Sequence, residues 1–318
     1  MERDASGTAL ITGAAGFAGR HLIALLESST SWEIVGLART AARLGERTRP
    51  VACDLRDADH LKRIIQRFRP DVIFHLAAQS YVPKAMADPA ATLANNILGQ
   101  VNLLESVIDA GLSPRIVIAS SSEIYGAVES AELPVSENAT LRPGNPYAVS
   151  KATQDLLGYQ YSVSHALDIV RARPFNHTGP GQSDRFVLSG FARQIAEAEA
   201  GRVEPTILTG NLDAARDFLD VRDVVRAYLL LAERGEGGGV YNIASGTPRR
   251  IGDLLDMLVG FATQPLTTRL DPARMRPSDV PVVFGDAGRL VERTGWRPEI
   301  SIETTLADTL DYWRRLSR

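Results

Sequence analysis

The chain has 318 residues, a formal net charge of −3, 44% apolar and 23% charged residues, an ordinary globular composition that excludes a globally basic nucleic-acid binder and leaves room only for a local basic pocket. Its one cysteine, Cys53, excludes an intrachain disulfide and, inside the apolar run Val51–Cys53, reads as a small buried hydrophobe and not a nucleophile. No apolar stretch approaches membrane-spanning length and Met1–Thr8 carries no signal-peptide core, so the expectation is a cytoplasmic protein with no membrane partner.

Along the first half, short apolar runs alternate with amphipathic stretches. Strands are expected at Thr8–Thr12, Glu33–Leu37, Pro50–Cys53, Val72–Leu76, Arg115–Ala119 and Asp168–Arg173, and helices at Gly16–Glu27, Asp57–Phe68, Pro89–Ala110 and Pro146–His165. Near-continuous apolar strands separated by helices predict an α/β fold, a Rossmann-type doubly wound parallel sheet covered on both faces. After about Phe175 glycines and prolines become frequent and strands sparser, although helices remain legible at Ile251–Phe261 and Ile302–Leu316. The expected division is a dinucleotide-binding domain over 1–175, with segments returning to it from about 212–245, and a smaller α/β substrate lobe over most of 176–318.

The first strand runs into Thr12-Gly13-Ala14-Ala15-Gly16-Phe17-Ala18-Gly19, which opens the first helix. Glycines there let the backbone turn tightly and approach a pyrophosphate, whose charge then meets the helix N-terminus. The spacing is G-x-x-G-x-x-G, and Gly13, Gly16, Phe17, Ala18 and Gly19 are the candidate cradle. At the end of the second strand stands Arg39, where NAD enzymes usually carry an acid for the ribose hydroxyl. It either stacks on adenine and pairs with a 2′-phosphate, favouring NADP(H) over NAD(H), or is a solvated surface arginine. Asp54 and Leu55 follow the third strand, placed to touch the adenine, and Leu76, Ala77 and Ala78 follow the fourth, small enough to line a cofactor channel.

Ser120-Ser121-Ser122-Glu123 lies after the fifth strand, at the sheet edge where ligands of this fold bind; it is either a reaction-facing segment or a plain polar loop. The next helix starts at Asn145-Pro146, a cap and a first-turn proline, and carries Tyr147 and Lys151 one turn apart on one face. Lysines are scarce here, only Lys62, Lys84 and Lys151, so this pairing is informative. An ammonium near the phenol is expected to lower its pKa and equip it for proton exchange with a sugar hydroxyl or carbonyl. No metal centre is expected.

Taken together, Gly13-x-x-Gly16-x-x-Gly19, His75-Leu76-Ala77-Ala78, Asn95-Asn96, Ser121 with Tyr147-x-x-x-Lys151, and Arg173-Pro174-Phe175-Asn176 resemble the extended short-chain dehydrogenase/reductase family of sugar-nucleotide epimerases, dehydratases and reductases. Finer similarity, in Arg173–Gln182, Arg216–Asp223 and Arg276–Pro281, is to the branch holding GDP-mannose 4,6-dehydratases and GDP-4-keto-6-deoxy-mannose reductases. The resemblance implies Ser121, Tyr147 and Lys151 as the catalytic triad, Asn95 and Phe175 beside the cofactor, and Ser121, Ser122 and Asn176 toward the substrate. It implies Arg216 and Arg276 on the diphosphate or ribose, and His177 either toward the nicotinamide or as a structural group. Glu123 is the carboxylate that a dehydratase needs as base, and reductases of the branch can keep it. Two departures favour the reductase: Gly16-Phe17-Ala18-Gly19, where the dehydratases have a Gln-Asp pair before the final glycine, and Thr178-Gly179-Pro180-Gly181-Gln182, where they have a Glu-Ser-Pro-Arg-Arg type segment. The expectation is reduction of a GDP-4-keto-6-deoxyhexose by a homodimer built through the helices near 89–110 and 146–165. A dehydratase, a 4-epimerase and a non-catalytic dinucleotide sensor remain as alternatives.

Overall fold

The structure, a computed structural model, describes residues 7–40, 43–275 and 280–318. Arg276, with Pro277, Ser278 and Asp279 of its motif, lies outside the described residues. In chain order the first half runs β1 (Thr8–Thr12), α1 (Phe17–Ser29), β2 (Glu33–Ala38), β3 (Thr48–Ala52), α2 (Ala58–Phe68) and β4 (Val72–His75). It continues through α3 (Val82–Ala87), α4 (Pro89–Leu93), a π-helical turn (Ala94–Leu98), α5 (Gly99–Asp109), β5 (Arg115–Ala119), α6 (Pro146–His165) and β6 (Ile169–Pro174). The second half comprises β7 (Asn176–Thr178), α7 (Val187–Glu199), β8 (Thr206–Thr209), β9 (Ala215–Asp220), α8 (Val221–Arg234), β10 (Val240–Ile243), β11 (Pro248–Arg250), α9 (Ile251–Gly260), β12 (Thr267–Leu270), β13 (Val282–Val283), α10 (Gly288–Thr294) and α11 (Ile302–Leu316).

Seven strands form one parallel sheet in the order β10-β6-β5-β4-β1-β2-β3. Alternate residues of each strand feed opposite faces. Ala9, Ile11, Ile34, Phe74, Val117 and Val170 pack with Leu22, Ile23 and Leu26 of α1 and with Val224, Tyr228 and Leu231 of α8. Leu10, Val35, Ile73, Ile116, Ile118 and Ile169 pack with Leu61, Ile64 and Ile65 of α2, Leu103 and Val107 of α5, and Tyr161 of α6. Each fully buried aliphatic side chain contributes about 1.5–3 kcal/mol of burial free energy, and both layers rest on such residues. The order reverses between β1 and β4, and the crevice at the carboxyl ends of those two strands is where this architecture receives ligands.

The expected strands and helices of the first half are present, with one difference. Pro89–Ala110 is not a uniform α-helix, because its turn at Ala94–Leu98 is π-helical, a local widening that turns Asn96 inward. In the second half β9 collects β7, β11 and β13 into a small sheet, and β8 pairs β12. A separate core joins α7, α9 and α11 through Leu188, Phe191, Ile195, Leu254, Leu258, Leu306 and Leu310. Asp217 of β9 ties the small sheet to the chain leaving β10, the edge strand of the parallel sheet: its carboxylate accepts from Ser245 N (2.9 Å), Ser245 Oγ (2.6 Å), Gly246 N (3.0 Å) and Gly285 N (3.2 Å). No helix among the described residues is long and apolar enough to cross a membrane.

Candidate active site

The cradle is built first. Gly13 takes φ +70°, and a Cβ there would stand 2.8 Å from the Ala77 backbone nitrogen, so only glycine lets the turn after β1 lie against the chain leaving β4. At Gly19 a Cβ would come within 2.4 Å of Gly13 O, so the third glycine sets the approach of α1 to its own loop. Ala14 N donates to Leu37 O (3.1 Å) and Gly16 N to Gly13 O (2.9 Å), fixing the turn between β1 and α1 against the end of β2. Gly16 caps α1 without a side chain and the first turn holds no acid, so the helix start offers its N–H groups and partial positive charge to an anion. This concave, uncapped turn at the switch point fits the pyrophosphate of a dinucleotide.

Around the cradle the predicted residues divide. Leu76 N bonds Thr12 O (3.3 Å) and Ala77 N bonds Thr12 Oγ1 (3.2 Å), which brings Leu76, Ala77 and Ala78 along the floor. Leu55 is held from behind by Asn102 Nδ2 on its carbonyl (2.9 Å). Asp54 is paired with Arg56 (2.6 Å), and that guanidinium, with a further contribution from Arg39, holds its carboxyl down at about 2. Arg39 is exposed just past β2, near enough for its charge to act on Asp54. The ring of Phe17 stacks on His177 (6.1 Å between centroids, 6° between planes) and meets His21 edge-on (5.4 Å). His177 Nδ1 donates to Phe175 O (3.1 Å), and burial lowers its pKa, so it is a neutral wall beside the glycine turn. Phe175 differs from a side chain lining the cleft, since its ring lies in the core with Tyr125 and against Gly285 because no Cβ stands there.

On the other wall α6 is capped by Asn145 Oδ1, which accepts from Ala148 N (2.8 Å). Ser121 caps the short 3₁₀ turn Ser122–Tyr125, accepting from Glu123 N (3.2 Å), and its hydroxyl is hydrogen-bonded to the Tyr147 phenol. Glu123 is exposed, close enough for its charge to act on Tyr147 and within 3.4 Å of Asn145 Nδ2. Lys151, 3% exposed, donates to Ala119 O and to Gln154 Oε1 (2.8 Å). Burial pulls its ammonium down to about 7, against the opposing charge of Asp155.

The expected lowering of the tyrosine pKa is not what this arrangement gives. Burial pushes the Tyr147 phenol up to about 12, with Glu123 adding to the rise and the Ser121 hydrogen bond opposing it. Two of the ammonium's donors are directed to Ala119 O and Gln154, and desolvation outweighs what remains. Tyr147 is therefore a phenol across ordinary pH, equipped to donate a proton to an oxygen held beside Ser121.

Asn95 and Asn96 have different roles. Asn95 Nδ2 donates to Asn96 Oδ1 (2.9 Å), whereas Asn96, 1% exposed, accepts from Gln79 N (2.7 Å) and donates to Gln79 O (3.1 Å) and Ser150 Oγ (2.8 Å). Ser150 in turn donates to Tyr147 O (2.7 Å), so the π turn ties the segment after β4 to the start of α6. The sequence pattern marks the asparagine pair but not which of the two is buried. Asn176 opens β7 opposite Phe218, and Arg216 stands on β9, its Nη1 donating to Ala215 O (2.9 Å). Asn176 and Arg216 stand on paired strands, β7 and β9, whereas Ser122 opens the 3₁₀ turn after β5.

A profile of the GDP-mannose 4,6-dehydratase family matches residues 10–309. The chain belongs to this family. Within it, the protein is 41% identical over 304 residues to a GDP-6-deoxy-D-mannose reductase of Pseudomonas aeruginosa, covering 95% of this chain and 96% of that one. It is 28% identical over 297 residues to a GDP-mannose 4,6-dehydratase of Yersinia enterocolitica, covering 80% and 76%. A solved structure of RMD from Pseudomonas aeruginosa complexed with NADPH superposes with a TM-score of 0.87 at 39% identity, covering 98% of this chain and 99% of that one.

Proposed function

We propose that this member of the GDP-mannose 4,6-dehydratase family is a reductase: it converts the 4-keto group of a GDP-4-keto-6-deoxyhexose to a hydroxyl with NADPH, yielding a GDP-6-deoxyhexose of the rhamnose type. The observation that carries the reading is the Tyr147 phenol, kept protonated by burial and bonded to Ser121, which follows β5 at the same edge of the sheet where the glycine turn follows β1. The relative named a GDP-6-deoxy-D-mannose reductase and the related fold complexed with NADPH support the same chemistry.

Gly13, Gly16, Phe17, Ala18 and Gly19 would hold NADPH, which would supply the hydride for the carbonyl carbon. Ser121 and Tyr147 hold the carbonyl oxygen, Tyr147 gives it a proton, and the Lys151 ammonium offsets the phenolate left behind. Arg39 would meet the 2′-phosphate, which would favour NADPH over NADH. Leu76, Ala77, Ala78, Asn95 and the main chain at Phe175 border the cofactor. Ser122, Asn176 and Arg216 hold the sugar nucleotide, and arginine suits the last task because its fork pairs two phosphate oxygens. Residues 1–175, with the chain returning between about 212 and 245, carry the cofactor in this reading, and most of 176–318 carries the substrate. The reading includes a cytoplasmic homodimer. Val149, Leu156, Tyr159 and Val163 of α6 are exposed along one side of that helix, with Leu98 also exposed at the end of the π turn, an apolar area suited to a second copy.

The test is to supply the purified protein with GDP-4-keto-6-deoxy-mannose and follow NADPH absorbance. One NADPH oxidised per GDP-6-deoxyhexose formed is expected; a protein that oxidises no NADPH with any 4-keto-6-deoxy GDP-sugar is not this reductase. A dehydratase is favoured only by Glu123 beside Tyr147, and predicts a keto product from GDP-mannose without net NADPH consumption.

A further inference from the structure

Behind Lys151 a buried polar chain runs to the opposite side of the site, through residues to which the reaction assigns no role. Gln154 Oε1 takes the ammonium (2.8 Å), Gln154 Nε2 meets His75 Nε2 (3.2 Å), and His75 Nδ1 meets Thr12 Oγ1 (2.9 Å), which also accepts from Ala77 N (3.2 Å). Gln154 and Thr12 are 0% exposed and His75 1%. Only one direction of hydrogen bonding satisfies the chain. An ammonium has donors and no acceptor, so the amide oxygen faces Lys151 and the amide NH₂ faces His75. His75 Nε2 is then an acceptor, and the single proton of the neutral ring sits on Nδ1, donated to Thr12. A charged imidazolium would set N–H against NH₂, and burial accordingly holds this histidine at about 3.

We propose that Gln154 is a positioning residue for the Lys151 ammonium, and that through the fixed tautomer of His75 it ties the ammonium to Thr12, where β1 enters the glycine turn. The proposal rests on the reading of Tyr147 and Lys151 as the proton-transfer pair. Its consequence is that the cofactor cradle and the ammonium belong to one hydrogen-bonded unit, set before any sugar arrives. A backbone carbonyl alone, Ala119 O, would hold the ammonium at one point and leave it free to pivot.

The groups that act on Lys151 are few. Tyr147 and Asp155 share its helix, His75 faces it from β4, and Arg171 and Arg173 reach from β6, both paired with Asp155 at 3.0 and 2.8 Å. Glu123 acts on Tyr147 from the loop after β5. Against that background two substitutions at one position have opposite effects. Gln154→Leu removes the acceptor and destabilises the ammonium; Gln154→Glu adds a negative charge and stabilises it. Reduction needs the ammonium, so kcat falls as pH rises through the lysine's pKa. That descending limb moves down by about one unit in Gln154→Leu, as expected when a charged group loses a hydrogen bond, and moves up in Gln154→Glu.

A second measurement needs no substrate. Heteronuclear NMR of the imidazole nitrogens in histidine-labelled protein, with His75→Asn assigning the signal, should place the His75 proton on Nδ1. In Gln154→Glu a carboxylate oxygen faces Nε2, and the proton should move there. Limbs that overlay the wild type in both variants, or a His75 tautomer that is Nε2–H in the wild type or unchanged in Gln154→Glu, overturn the proposal. Should Gln154→Leu not fold, the isosteric Gln154→Glu decides alone. A wild-type protein that turns over no keto sugar contradicts the reductase reading, while the tautomer measurement still decides the relay.

Discussion

Tyr147 stays a neutral phenol because it is buried. A phenol raised to about 12 stays protonated throughout the range in which the enzyme operates, which is the state a reductase needs at the start of each turnover. Tyr147→Phe should therefore reduce kcat by about 10²–10⁴-fold, the range for a lost general acid. NADPH affinity, followed by nucleotide fluorescence, should stay close to wild type because the glycine cradle is untouched. Full biological activity in that variant would instead mark a dinucleotide sensor. His75 gives a prediction on stability. Its folded pKa of about 3 lies below its ordinary 6.5, so the unfolded chain binds the proton first. The stabilisation from the neutral ring is complete above 6.5 and is lost as pH falls toward 3. Urea midpoints measured over that window should fall less steeply in His75→Gln than in the wild type. At this scale the sequence made Tyr147 and Lys151 visible because their spacing is itself the signal, whereas Ser121 was marked by its place after the fifth strand and by the family resemblance. Gln154 was invisible, since a glutamine one residue short of a helical turn from a lysine carries no pattern until the fold brings His75 beside it.

Among the elements, the helical stretch from Pro89 to Asp109 carries the most consequence. Its amphipathic pattern predicts one helix, and no local rule announces the π turn at Ala94–Leu98, because the widening answers a tertiary demand. Asn96 there binds both main-chain groups of Gln79 and the Ser150 hydroxyl. Asn96→Ala leaves these buried groups without partners and should lower unfolding free energy by about 2–3 kcal/mol, judged from the penalty for unsatisfied groups. It should lower kcat as well, since Ser150 holds the carbonyl of Tyr147; denaturant titration and steady-state rates check the two effects. The second half hid more of itself for a different reason. β7, β11 and β13 are two or three residues long, too short for any alternation to register. α7 buries Leu188, Phe191, Ala192, Ile195 and Ala196 at helical spacing, but Ser189 and Gly190 dilute the pattern.

For the whole molecule, the apolar side of α6 is the feature that points beyond a single chain. Leu156 is 56% and Val163 67% exposed, more than a monomer has reason to leave in water on a helix so well ordered at its start. Leu156→Arg should convert a dimer into a monomer in sedimentation velocity with little effect on thermal stability of the single chain; a wild-type protein that sediments as a monomer at micromolar concentration contradicts the dimer. Six strands of the seven-stranded sheet were legible from the rhythm of apolar runs, and the seventh falls within the stretch, about 212–245, that was expected to return to it. β10 joins the edge at β6 only after the chain has already travelled through α7, β8, β9 and α8. That detour has a practical result for anyone recombining these genes. Cutting after residue 175 would strip β6 of its neighbour and expose the partners of Tyr241, Asn242 and Ile243, which are 0–5% exposed in the intact protein. A hybrid that borrows a relative's sugar-recognising portion therefore needs at least two crossover points, one on each side of the strand that comes home.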